Sequence, residues 1–240
     1  MSVTRNLESS ALFSMPFLGY QPVNVSNGEP ALSAANITKQ TILGAPFKWP
    51  FNRDEGMHYE FDTDETTWGQ DFILELPNFG FLERAWLTNP EDDKKTEIEV
   101  KTSLAGDNTQ KRPGSISSHT IEEDFVSFRL NAVPDAPYYV DGCFQRAPVL
   151  MTSLASTWSP LPDHLSYIYD WGFLGFVALL TQDSRAGVFL GKFTAHLLGA
   201  QEGLTALQRN IFLGNFLELM NQQGREQLAT QQGAQARGNS

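Results

Sequence analysis

Between Gln70 and Arg146 apolar residues recur at every second position, while on both sides of that stretch they recur at helical spacing. No other feature constrains the fold as strongly, because a period of two builds strands with one buried face and a period near 3.6 builds helices with one buried stripe. In QDFILEL, Phe72, Leu74 and Leu76 alternate with Ile73 and Glu75; in TEIEVK, Ile98 and Val100 alternate with Glu97, Glu99 and Lys101. Further strands are expected over 81–87, 124–131 and 138–146, punctuated by Pro77-Asn78, Asn89-Pro90, the polar run 103–115 and Pro134-Asp135. Short strands so spaced predict an antiparallel sheet or small barrel.

Ahead of the strands, Leu32, Ala35, Lys39, Ile42 and Leu43 lie near helical spacing between Pro30 and the pair Gly44 and Pro46, which predicts a helix over 31–43. Beyond Pro160 three amphipathic stripes follow: Leu165, Ile168, Tyr169, Gly172, Phe176 and Leu179; then Ala186, Phe189, Leu190, Phe193 and Leu197; then Leu207, Ile211, Phe212, Phe216 and Met220. Each stripe needs cover, so the two ends of the chain are expected to meet. The expected fold class is α+β: a helical bundle domain over 31–48 and 160–222, formed by an N-terminal helix plus three C-terminal helices, with an inserted antiparallel β-sheet or small barrel domain over 49–159. Residues 1–30 read as an extended N-terminal arm that docks by Leu12-Phe13 and Phe17-Leu18, and 223–240, rich in Gln, Ala and Gly, as a flexible C-terminal tail.

The first change of period falls in ILGAPFKWPFNR, residues 42–53, where Phe47, Trp49 and Phe51 occupy every second position. Trp158 stands at the other change of period. These four aromatics are expected to form the interdomain seam.

Charge is uneven. The net charge is -11, and between Arg53 and Lys101 there are 14 Asp and Glu against 5 Arg and Lys. Such a surface repels phosphate, which argues against nucleic-acid binding. It is read either as solvated strand and loop faces or as a surface that is acidic for a purpose. The single cysteine, Cys143, rules out an internal disulfide and a cysteine-rich zinc site, and reads as a small buried hydrophobe. The N-terminal stretch lacks the pattern of a signal peptide, and the longest apolar run, 171–180, is about half of a bilayer span. A soluble protein is expected.

Chemistry is sparse. There is no glycine-rich phosphate loop, nucleophile elbow or His-x-x-x-His pair, and His58, His119, His164 and His196 are scattered. Asp62, Asp64 and Glu65 resemble a cation loop only in composition. Asp163-His164 near Asp170 can be drawn as an acid–base pair, but an Asp at a helix start is ordinarily a cap. No enzyme activity, cofactor or metal is expected. Bulky aromatics flanked by polar residues, Trp68, Tyr167 and Tyr169 among them, are instead the residues that protein interfaces use as anchors.

The order of these features resembles the head-to-tail adaptor proteins of tailed bacteriophages, the tail tubular protein A-like or head-completion class. The resemblance rests on the helix ANITKQTILG, the junction FKWPFNR, Leu76-Pro77-Asn78-Phe79, Pro134-Asp135 before Tyr138 and Tyr139, Pro162-Asp163, and Asp183-Ser184-Arg185. It spans about residues 31–200; the arm before the first helix and the polar insertion at 103–120 depart from the pattern. It implies a structural virion protein at the head–tail junction, assembled in the host cytoplasm without contact to a membrane. Such a protein forms a homo-oligomeric ring, commonly a dodecamer, that binds the portal protein and the tail nozzle or other tail proteins while DNA passes without sequence-specific binding. In that picture Asp62, Asp64, Glu65, Glu97 and Glu99 supply an acidic lumen surface, and Arg225, Leu228 and Arg237 belong to a portal-binding tail. A tail terminator, tube or baseplate subunit, or a soluble carbohydrate- or ligand-binding module, are the competing readings.

Overall fold

The computed structural model describes residues 4–24, 27–64, 68–91, 93–104, 112–122, 124–201 and 203–218. The described residues divide into two compact units, one up to Leu197 and a second from Leu198 onward.

The first unit begins with a helix where an extended arm was expected. Helix α1 (Leu7–Leu18) is capped by Asn6, whose side chain accepts from the Ser9 N–H, and it ends at Gly19, whose φ of 82° is the left-handed geometry that glycine tolerates best. Its inward face is Leu7, Ser10, Ala11, Ser14 and Leu18, a helical spacing obscured in the sequence by two serines. Those serines are buried because each hydroxyl has a partner: Ser14 donates to the Ala11 carbonyl and Ser10 to Asp170.

Helix α2 (Ala31–Leu43) coincides with the expected span. Helix α3 (Ser166–Leu180) is buried almost all round, with Ile168–Asp170 and Gly172–Ala178 out of solvent. It is the central helix, and its glycines set how closely its neighbours approach. A Cβ on Gly172 would lie 2.6 Å from Thr38 of α2, and one on Gly175 would lie 2.6 Å from Leu190 of α4 (Ala186–Gly199). Any larger side chain at either position would push the helices apart.

Seven strands follow α2: β1 (Arg53–Glu60), β2 (Asp71–Glu75), β3 (Phe79–Asn89), β4 (Lys94–Val100), β5 (Ser115–Thr120), β6 (Phe125–Leu130) and β7 (Tyr139–Arg146). They form one sheet in the order β1-β7-β3-β4-β5-β6-β2. All pairs are antiparallel except β4 with β5, which run parallel. The edge strands nearly close the sheet into a barrel: Tyr59 of β1 stacks on Phe72 of β2 with ring centroids 4.3 Å apart. The interior holds Met57, Phe72, Leu87, Ile116, Phe128 and Phe144 among a wholly apolar cluster.

The expected fold class is therefore corrected. This is not a helical bundle carrying a small antiparallel insertion, but an α+β unit whose larger element is a mixed, nearly closed seven-stranded sheet, with two helices before it and two after it. The expectation fell short because β1 and β5 are polar strands. Each faces a core already lined by its neighbours, so β1 sinks a single residue, Met57, and β5 only Ser115 and Ile116. Neither carries an alternating apolar signal.

In the second unit a helix spans 206–218. Thr205 and Gln208 cap its start reciprocally: each side chain accepts from the other's backbone N–H, at 3.0 and 3.2 Å. Phe212 and Phe216 stack one turn apart with centroids at 5.6 Å. Among the described residues no helix is long and apolar enough to cross a membrane.

Candidate functional site

The junction 45–53 leaves α2, makes one 3-10 turn (Pro50–Asn52) and enters β1. Trp49 is 5% exposed, and its indole N–H donates to the Ile42 carbonyl at 2.7 Å. Its backbone N–H donates to Gln145 Oε1 of β7 at 3.1 Å, so one residue ties the last turn of α2 to the barrel. Phe47 is fully buried, and Phe51 is half-buried with its ring 5.4 Å from that of Trp49. Asn52 donates to the Arg146 carbonyl at 2.8 Å.

Gln145 leads on to a polar network in which it and Glu83 are buried and Arg53 reaches solvent. Gln145 donates from Nε2 to Glu83 at 2.7 Å, and the Arg53 guanidinium grips both carboxylate oxygens of Glu83. Burial acts to raise the Glu83 carboxyl, but the hydrogen bonds from Arg53 and Gln145 outweigh it, so Glu83 stays ionised more readily than an ordinary glutamate. Cys143 is buried beside this network, and burial pushes its thiol up, away from reactivity.

Trp158 belongs elsewhere. Its indole N–H donates to Ser10 Oγ of α1 at 3.0 Å and its ring stacks on Tyr169 of α3 at 4.5 Å, so it is an anchor inside the helical layer. Through Ser10 it joins Asp170, which also pairs with Arg5 at 2.7 Å. Burial pushes the Asp170 carboxyl up to about 6 against the opposing bonds from Ser10 and Arg5. Asp163, weighed in the sequence as half of an acid–base pair, accepts from the Thr4 hydroxyl and from the N–H groups of Thr4 and Arg5, which fastens the chain start to the entry of α3. Of the two tyrosines singled out, Tyr169 is buried and Tyr167 is exposed.

Of the acidic residues, Asp62 and Asp64 are exposed and Glu65 lies outside the described residues. Glu97 is gripped by Arg84 at 2.8 and 2.9 Å, and Glu99 pairs with Lys101 at 3.1 Å. The outer face of β1, β7, β3 and β4 is thus mixed in charge. It carries Trp86 beneath Arg84 and Lys95, and it carries His58 between Asp141 at 2.8 Å and Glu60 at 3.1 Å. Among the described residues no group of three or more His, Cys, Asp or Glu is placed to hold a metal ion. Arg225, Leu228 and Arg237 lie outside the described residues.

One feature the sequence reading placed in an arm is a surface of the helical layer. Phe13 and Phe17 of α1 pack on Trp171 of α3 with centroids at 5.8 and 5.3 Å, and Phe189 of α4 closes the cluster at 6.1 Å from Trp171. The Lys192 ammonium lies 4.3 Å above the Trp171 ring. Helices α1 and α4 also leave apolar residues in water: Leu12 is 56% exposed and Val188 62%, with Met15 and Phe17 of α1, and Tyr20 just beyond its cap, also exposed. The signal was available in the pairs Leu12-Phe13 and Phe17-Leu18, of which one member is inward or shared and the other outward. No known protein family matches the chain, and no curated protein matches it significantly.

Proposed function

We propose that this chain is a structural virion protein, a head-to-tail adaptor that assembles as a ring between the portal and the tail nozzle and extends the DNA channel. The observation that carries the reading is the set of large apolar side chains left exposed on α1 and α4, Leu12, Met15, Phe17 and Val188, the third of which belongs to the aromatic cluster with Trp171 and Phe189. Contiguous exposed apolar surface marks contacts with other chains, and aromatic anchors are its usual centre. The order of motifs from ANITKQTILG to Asp183-Ser184-Arg185 supports the choice of adaptor among assembly proteins. The rigid tie between layers suits a ring: Trp49, Gln145, Glu83 and Arg53 join the helical layer to the barrel by hydrogen bonds on both sides of the junction.

DNA sliding needs a surface that does not hold phosphate. Asp62, Asp64, Glu65, Glu97 and Glu99 remain the residues proposed to line the channel, and the cation pairs of Glu97 and Glu99 reduce the field that those two contribute.

Mass photometry of the protein alone and with a cognate portal ring tests the reading. The expected result is a species gaining about twelve copies on the portal. A chain that ignores the portal sinks the proposal and turns attention to the binding-module alternative. Leu12→Asp with Val188→Asp should abolish that assembly while changing the folding free energy by only about 0.5 kcal/mol, as for exposed positions generally. Removal of residues 224–240 should weaken portal attachment with thermal unfolding unchanged.

A further inference from the structure

A cavity of about 460 Å³ opens where α2, the turn before β3, the end of β7 and the segment 147–160 meet. Its size lies within the range of small-molecule sites, roughly 300–1,000 Å³. Lys39 comes from α2, Asn52 and Asn78 from turns, Arg146 from the end of β7, and Ser156 and Ser159 from the 147–160 segment. The lining contains two cationic side chains and no Asp or Glu.

Lys39 is the unusual member. It is 3% exposed, and its ammonium donates to the Val149 carbonyl at 2.7 Å. A buried charge is normally matched by an opposite one, because a single neutral acceptor does not replace the water it loses. Here burial alone acts on the group, pulling it down to about 8, with no carboxylate contributing. Such an ammonium is still mostly charged at neutral pH. Holding the 147–152 segment on α2 does not require it: Asn36 already clips that segment by accepting from the Met151 N–H at 2.7 Å and donating to the Met151 carbonyl at 3.1 Å.

We propose that the cavity is a binding site for a small molecule bearing a carboxylate or phosphate, whose oxyanion pairs with Lys39 and is approached at the rim by Arg146. Arg146 engages Asp54 through Nε and Nη2, which leaves its other terminal nitrogen for the ligand. The hydroxyls and amides of the lining supply donors for the remaining oxygen lone pairs. Val149 and Leu150, both exposed at the rim, favour a ligand with an apolar portion beside its anionic group. The site is independent of the adaptor reading, and its test uses the full chain without any portal.

Isothermal titration with sodium phosphate and, separately, sodium succinate, against sodium chloride of matched ionic strength, decides the matter. Saturable binding of either anion is expected; the one bound more tightly identifies the ligand as phosphoryl or carboxylate. Lys39→Met should abolish it, and Arg146→Gln should weaken it about tenfold, as for loss of one charge-assisted hydrogen bond. Should Lys39→Met fail to fold by circular dichroism, Arg146→Gln carries the test, since Arg146 is on the exposed rim. No saturable binding of either anion, or binding unchanged in Arg146→Gln, overturns the proposal.

Discussion

The barrel and the helical layer bury their side chains by opposite rules. Inside the barrel, Met57, Phe72, Phe128 and Phe144 belong to a hydrophobic cluster, and most of its charged residues sit outside in exposed pairs such as Arg84 with Glu97, the buried exception being Glu83, held by Arg53 and Gln145 at the junction. Inside the helical layer, Ser10, Ser14, Thr38, Lys39 and Asp170 are buried among the apolar residues of α1, α2 and α3. A nearly closed sheet satisfies its backbone by pairing strands, so its hydrophobic interior has few polar groups to accommodate. Helices packed as closely as α2, α3 and α4, against two glycines, admit small hydroxyls readily and hold larger polar groups only where partners are built for them. Both regions should therefore respond to pH, the helical layer through the buried Asp170 and the barrel through Glu83 and the more exposed His58.

The largest effects probe what the two regions share. Trp49→Ala at the junction, Phe128→Ala in the barrel and Trp158→Ala in the helical layer should each cost about 3 to 5 kcal/mol in urea unfolding, the usual scale for a buried aromatic. A loss below about 1 kcal/mol for Trp49 would mean that it does not join the two regions. Of the pair inside single regions, Trp158→Ala should be the worse, since it also strips Ser10 of its donor.

Acid should separate the regions. The folded-state pKa of Asp170, about 6, lies above the ordinary aspartate value, so the folded protein holds a proton that the unfolded chain releases. This contribution is fully present below about pH 4 and is lost as pH rises through about 6; a shift of this size corresponds to about 2 to 3 kcal/mol. Asp170→Asn should remove that slope from a series of urea titrations between pH 4 and 7. A slope that persists in the variant would place its source elsewhere.

The smallest effect belongs to the barrel's outer face. Hydrogen bonds from Asp141 and then Glu60 raise the His58 pKa. Its contribution is present below the unfolded value near 6.5 and fades as pH rises through the raised folded value. As a half-exposed pair it should amount to less than about 1 kcal/mol. An NMR titration of the His58 ring gives the pKa directly, and a value at or below 6.5 would show that neither carboxylate holds it.

Much of the architecture was legible in the chain, and the reasons for the misses are specific. Helix α2 and strands β2, β3, β4, β6 and β7 announce themselves because each sets a periodic apolar face against a core. Helix α1 hides behind Ser10 and Ser14, and β1 and β5 behind their polar composition. Trp49 was readable as a seam residue from its place at a change of period. Trp158 stands at a similar place yet packs against α1, a partner that does not appear while α1 is taken for an extended arm. Lys39 fell on the apolar stripe of α2 in the sequence, but nothing there tells a buried ammonium from one that reaches past the stripe to water.

What the amino-acid sequence determined by itself is the alternation of helical and strand segments, the aromatic junction at 47–51 and the excess of acid between Arg53 and Lys101, all of which are local and follow from residue spacing and composition. The tertiary structure alone decided that polar strands complete a near-closed barrel, that Glu97 and Glu99 meet cations, that Asp170 and Lys39 lose their water, and that apolar residues of α1 and α4 keep theirs. Each of these depends on which distant segments become neighbours, and burial and pairing are properties of that neighbourhood rather than of the residue.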